Sequence, residues 1–349
     1  MTDAVMDEPS VRTPPINVHR LLALTHLDRM TDDRGLFEHA KGTSPRLEHG
    51  YCTDDNARLL IVATNAGRTP IASRLARVAL GFVLASQDVS GKTSNRMNVE
   101  GEWTDEPSTE DCWGRSLWGL GAMASRHHDE RLRRRARRGF NHGARQRSPH
   151  LRATAFAALG AIEVLGTYPD HQLARHLAAD FLDRLEPLAT STWRWPEPVL
   201  RYANASLAEA TIGAAAALGR VDDLETGLEM LRWLLERETT KGHLSVAGVG
   251  DHGPSSSRPQ FDQQPIEIAA LADACARAAH VTSDRSWWRG VHLAEEWLLG
   301  SNDAGLVMLD PASGGGYDGL SASSVNMNQG SESTMAATST MQHAQTCLR

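Results

Sequence analysis

The chain has 349 residues, a net charge of −7, 41% hydrophobic residues and 23% charged residues. That length supports one large core or two ordinary domains, and the acidic balance argues against nucleic acid as the main partner. No apolar run is long enough for a membrane span, and the scattered cysteines Cys52, Cys112, Cys275 and Cys347 argue against a zinc site or a disulfide framework.

In chain order, residues 1–15 are polar, acidic and proline-containing, with no apolar signal region. They are expected to be a disordered leader, with a cytoplasmic location as the default and residues 16–349 forming one domain. Segment 17–30 is amphipathic, and segment 54–67 (DDNARLLIVATNAG) is small and apolar with few charges. The same pair of styles recurs along the chain. Amphipathic segments at 71–86, 129–144, 171–188, 222–238 and 284–300 alternate with apolar ones at 114–125, 151–166, 206–219, 265–279 and 331–344. Helical spacing runs through all of them, and strand signals are nearly absent.

A helix apolar on most sides must be buried on most sides, whereas an amphipathic one keeps a solvent face. Strict alternation of the two styles, six times, predicts six helical hairpins. The expected fold is an all-α (α/α)6 toroid, with an inner ring of apolar helices and an outer ring of amphipathic ones. The arginine run 131–139 falls on an outer helix and is expected to be a solvated face. The last segment, STMQHAQTCLR, is more polar than a buried helix should be.

In such a ring the inner-helix N-termini gather at one mouth, each with free N–H groups and a partial positive charge. The loops entering them are dense in Asp, Glu, Asn, Gln, Trp and Tyr, a mixture that suits sugar hydroxyls and sugar faces. Asp54 and Asp55 open the first inner helix, with Thr53 able to cap it and Arg58 placed to pair with Asp54. Glu110, Asp111, Trp113 and Arg115 enter the second, where Ser108 or Thr109 can cap. The fourth entrance carries Trp195, Tyr202 and Asn204. At the fifth, Asp262 fits a cap, Pro265 the first turn and Glu267 a second direction, with Gln263 and Gln264 beyond what capping needs. Tyr317, Asn328 and Glu332 precede or open the sixth, and His49 and Tyr51 precede the first. Substrate contact is the expectation for these loop residues, with catalysis reserved for Asp54, Asp55, Asp262 and Glu267. No cofactor and no metal is implied.

The motifs HGYCTDDNAR, TEDCWGR, RYANASLAEA, FDQQPIE and YDGL…NQGSEST resemble, in that order, a bacterial family of six-hairpin glycosidase-like toroids found beside or fused to glycosyltransferases. Within it the chain is most similar to the mycobacterial methylmannose polysaccharide hydrolases, over about residues 17–345. The resemblance implies an endo-acting enzyme on α-1,4-linked, partly methylated mannose chains. It also implies a carboxylate pair on the first and fifth entrances: Asp54 or Asp55, with Glu267 or Asp262. Asp55 and Glu267 are taken as that pair, in an inverting mechanism that needs carboxyls about 6.5–9.5 Å apart. Two other readings stand beside it. A phosphorylase or transglycosylase on the same fold would use Arg58, Arg115 and Arg201 for phosphate, and a non-catalytic glycan-binding module would assist a glycosyltransferase.

Overall fold

A computed structural model describes residues 16–188, 190 and 192–347; the leader expected over residues 1–15 lies outside the described residues. Six outer helices are α1 (Ile16–Arg29), α3 (Pro70–Ala85), α5 (Glu130–Gly143), α7 (Gln172–Asp183), α9 (Val221–Arg237) and α11 (Trp288–Leu298). Six inner helices alternate with them: α2 (Thr53–Asn65), α4 (Asp111–Arg126), α6 (Leu151–Thr167), α8 (Ala205–Leu218), α10 (Pro265–Thr282) and α12 (Ser331–Cys347). Each inner helix packs on the next, and α12 packs on α2, so the ring closes. The fold is the (α/α)6 toroid expected from the alternation.

The closure explains why the inner helices are rich in small residues. Where α4 meets α6, a Cβ on Gly121 would run into the Gly160 carbonyl, so only glycine allows the two backbones to approach this closely. Outer helices keep a wet face: on α5, Arg131, Arg134, Arg135 and Arg138 are exposed while Ala136, Gly139 and Phe140 are buried. The polar run 131–139 is thus the solvated face expected of it.

Connections are asymmetric, and the asymmetry places the site. Short turns at 66–69, 127–129, 168–171, 219–220 and 283–287 lead from inner to outer helices. Longer segments at 30–52, 86–110, 184–204, 238–264 and 299–330, with a short one at 144–150, lead from outer to inner ones, so they crowd the inner-helix N-termini. Small ribbons staple them together. Tyr51–Cys52 pairs antiparallel with Arg96–Met97, and Gln263 bridges Leu320, tying neighbouring entrance loops across the mouth.

Some boundaries move. The helix expected over 171–188 stops at Asp183, and the one expected from 284 begins as a 3-10 turn at Arg285–Trp287 before α11. The polar last helix is an inner one after all. Its Thr338 and Thr340 hydroxyls donate to carbonyls one turn back, and its Ser339 and His343 side chains line the central cavity. No described helix is long and apolar enough to cross a membrane.

Candidate active site

The first inner-helix entrance is built around Cys52, not Thr53. The Cys52 sulfur caps α2 by accepting from the Asp55 N–H at 3.4 Å, and its S–H donates to Asp55 Oδ2 at 3.2 Å. Thr53, expected as a cap, instead donates to the Ser94 carbonyl. Arg58 also departs from its expected pairing with Asp54. One turn of helix brings its guanidinium to Asp55 Oδ1 (3.3 Å), and it donates to Glu332 Oε2 (2.6 Å) on the adjacent α12. Asp54 points toward the second entrance, where Arg115 Nε stands 3.5 Å from Oδ1 and the Asn95 amide donates to Oδ2 at 3.0 Å. Asp54 Oδ1 is buried and accepts no hydrogen bond.

These carboxyls titrate differently. Burial pushes Asp55 up to about 7, with Arg58 acting in the opposite direction. Burial also raises Asp54, against Arg115 and Arg58. Burial raises Glu332 too, but Arg58 and Arg115 outweigh it and hold its carboxyl below the ordinary value. One cluster therefore holds a carboxyl that keeps a proton near neutral pH and another that is ionised, the separation an acid–base site requires.

Glu267, in the first turn of α10, sits in a cradle made by the turn before α8. The N–H of Ala203 donates to its Oε1, and the N–H and side-chain amide of Asn204 donate to its Oε2 at 3.1 and 3.0 Å. Burial raises its pKa while these three donors pull the other way. Asn204 is fully buried and also accepts from Arg152 at 3.3 Å, so it holds Glu267 and Arg152 in place. Arg152 donates to Glu197 at 2.6 Å and lies over the Tyr202 ring at 4.8 Å. Tyr202, half-exposed, donates to Asp111 Oδ2 at 2.6 Å. Asn95, Asp111, Arg152, Glu197, Arg201 and Tyr202 line a groove of about 470 Å³ at the mouth.

A central cavity of about 420 Å³ is lined by residues of all six inner helices. Arg58, Arg115 and Glu332 form its upper wall, whereas Asp54, Asp55 and Glu267 are not part of its lining. Asp55 and Glu267 open the two helices that flank α12, and neither carboxyl has the other among its hydrogen-bond partners.

Several residues expected at the substrate are covered by, or bonded to, other parts of the chain. Trp113 and Trp195 are fully buried and offer no face to a sugar; the Trp113 indole donates to the Gly143 carbonyl. Tyr51 is buried, stacked on Phe37 and bonded to Asp32 at 2.6 Å. Gln263 is fully buried, donating to Asp303 and accepting from Trp297, so it fastens loops. Asn328 accepts from the Gly42 N–H. Asp262 does not cap α10; Gln264 occupies that position without a side-chain cap, and the Asp262 carboxylate is held up by burial and by Asp318. Glu110 takes the N-cap position of α4, also without a side-chain cap. His49 is exposed and packs edge-on against His39, and Tyr317 packs on the core at intermediate exposure.

What the entrance motifs did not reveal is the lower lumen. Glu209 is the one charge of its inner segment, and Glu163 and Arg277 stand deep inside theirs, well past the entrance; a charge in such an apolar stretch was the signal available in the sequence. Arg277 donates to Glu163 at 2.8 Å and to Glu209 at 3.3 Å, and Arg126 pairs with Glu163 at 3.2 Å.

No family model and no curated protein matches the chain. Solved structures do match in fold. A sugar epimerase from a ruminal bacterium superposes with a TM-score of 0.71 at 12% identity, covering 95% of this chain and 98% of that one. A cellobiose 2-epimerase from Bacillus thermoamylovorans gives 0.69 at 11% identity, over 95% and 99%. A Salegentibacter α-1,6-mannanase, solved as an inactive variant with two adjacent aspartates replaced by alanine and bound to α-1,6-mannotetrose, gives 0.63 at 11% identity, over 96% and 100%.

Proposed function

We propose that this chain is a sugar-processing enzyme of the glycoside hydrolase type, an inverting endo-α-mannosidase. Its substrate in this reading is a partly methylated α-1,4-mannooligosaccharide of the cytoplasm. The observation that carries it is the Asp55–Arg58–Glu332 cluster at the top of the lumen, where one carboxyl sits at about 7 beside an ionised one. The structural neighbours that act on glycans support the chemistry, and the mannanase inactivated through two adjacent aspartates parallels the pair Asp54–Asp55. The mannose and methyl specificity rests on the loop resemblance.

In this reading Asp55 is the general acid. Its proton passes to the glycosidic oxygen as the bond from that oxygen to the anomeric carbon breaks. Glu267 accepts a proton from water, whose oxygen bonds to the opposite face of that carbon. The three N–H donors around Glu267 favour its carboxylate and leave one lone-pair direction for the water. Both carboxyls are covered, so substrate must draw Arg58 off Asp55 before the proton can move. Asp54 and Glu332 hold sugar hydroxyls, and the exposed Tyr202 ring covers a sugar face at the mouth.

The test is a panel of mannooligosaccharides with the products read by chromatography and proton NMR. Asp55→Asn and Glu267→Gln should each lower kcat by about 10²-fold or more with folding intact. Asp54→Asn and Glu332→Gln should chiefly raise KM. The first product should carry the inverted anomer. A retained anomer would point to Glu332 as nucleophile, because Arg58 holds it closer to Asp55 than an inverting pair stands. Conversion of a reducing sugar to its epimer, without chain cleavage, would replace the hydrolase reading by an epimerase one.

A further inference from the structure

We propose that the lower half of the lumen is a second sugar site, taking one neutral pyranose unit from the face opposite the mouth. The ligand class rests on the sugar-processing reading; the site itself rests on the cavity.

The cavity continues well below the carboxyl cluster. From Glu332 to His343 on α12 its wall descends about 16 Å at 1.5 Å per residue. At the bottom, Arg126 and His280 are exposed, so the lumen reaches solvent at the far face. The wall chemistry is not that of a core. Glu209 Oε1 accepts from Arg277, but its Oε2 is buried and accepts no hydrogen bond. A buried carboxylate oxygen without a donor is costly, so the site favours a ligand that brings an O–H.

The charge balance decides what kind of ligand. Glu163, Glu209 and Asp273 face Arg126 and Arg277, with His343 held on Asp273 at 2.7 Å. Such a near-balanced wall attracts neither anions nor cations strongly, and it offers donors and acceptors in alternation. Trp118 and Met335 add apolar wall above them in the same cavity, which suits the C–H faces of a pyranose. The odd polarity of α12 has the same explanation: Ser339 donates to Asp273 at 3.0 Å and, with His343, turns a polar edge into the chamber.

Ligand-observed NMR titration with D-mannose and D-glucose tests this, because neither sugar has a glycosidic bond to lose. At least one should bind the wild-type protein at millimolar concentration. Glu209→Gln should weaken that binding about tenfold, from loss of the carboxyl oxygen that meets the sugar hydroxyl. Ser339→Phe, which fills the chamber and leaves the carboxyl cluster alone, should abolish it even if Glu209→Gln does not fold. Absence of binding to the wild type, or equal binding by wild type and Ser339→Phe, overturns the site. Intact Glu209-dependent binding in a protein that never cleaves an oligosaccharide would keep this site and remove the hydrolase reading.

Discussion

Asp55 shows how far a single residue could be read. Two adjacent acids exceed what a helix cap needs, and that surplus marked the entrance. Which acid pairs with Arg58 was not legible, because it depends on the register of the first turn. With Cys52 as the cap, Asp55 stands three residues before Arg58 and turns inward, while Asp54 turns to Arg115. The inward turn has a measurable cost. The folded protein holds the Asp55 proton up to about pH 7, whereas the unfolded chain gives it up near the ordinary aspartate value of 3.8. Below about pH 4 both states are protonated and Asp55 adds no pH dependence. Between about pH 4 and 7 the folded state binds more protons than the unfolded one, so wild-type stability falls as pH rises through this window. Asp55→Asn lacks this titration. Its unfolding free energy relative to wild type should therefore improve from about pH 4 to pH 7.5, by on the order of 3–4 kcal/mol at most. Urea unfolding of both proteins across that range measures it, and parallel curves would show that Asp55 is not held protonated.

Helix style was legible because burial dictates composition. Inner segments had to be small and apolar, outer ones one-sided, and all twelve helices stand where those styles alternate. Trp113 and Trp195, both fully buried, show the converse: a tryptophan near a helix entrance looks the same in sequence whether it faces a sugar or plugs the core. Two glycines, one on each ring, differ in what an added methyl group would meet. On α6 a Cβ at Gly160 would press on the Leu117 carbonyl and lie 2.8 Å from the Trp118 nitrogen, and backbone cannot move aside as a flexible side chain can. On the outer helix α3, a Cβ at Gly81 meets nothing within 4 Å. Gly160→Ala should destabilise by about 1–3 kcal/mol through overpacking. Gly81→Ala should stabilise by roughly 0.5–1 kcal/mol, since alanine is the better helix former and nothing obstructs it. Thermal unfolding of the two variants side by side checks the signs. A neutral Gly160→Ala would mean that α4 and α6 are further apart than described.

At the scale of the whole molecule, alternation alone is compatible with an open superhelix, and what distinguishes a ring is contact between the chain's two ends. Those contacts run through the sixth hairpin. The His26 imidazole meets the Gln329 carbonyl at 3.0 Å, the Gln329 N–H donates to Gly42, the Ser331 hydroxyl donates to Phe37, and the Gln342 amide donates to the Val62 carbonyl at 3.0 Å. Each joins residues about three hundred apart in sequence, separations that helical periodicity cannot report. In an open repeat protein, each unit touches only its neighbours, so losing a terminal unit trims stability and leaves the rest folded. A ring has no terminal unit. Ending the chain before Ser331 would bare the flanks of α2 and α10, remove Glu332 from Arg58 and open the lumen along its full depth. The shortened chain should therefore lose its cooperative thermal transition and its protection from hydrogen exchange throughout, including in α4 and α6 on the opposite side of the ring. If α4 and α6 instead keep their protection and the truncated protein melts in one step at a modestly lower temperature, the inner helices behave as a linear stack, and the closed ring is not what holds this fold together.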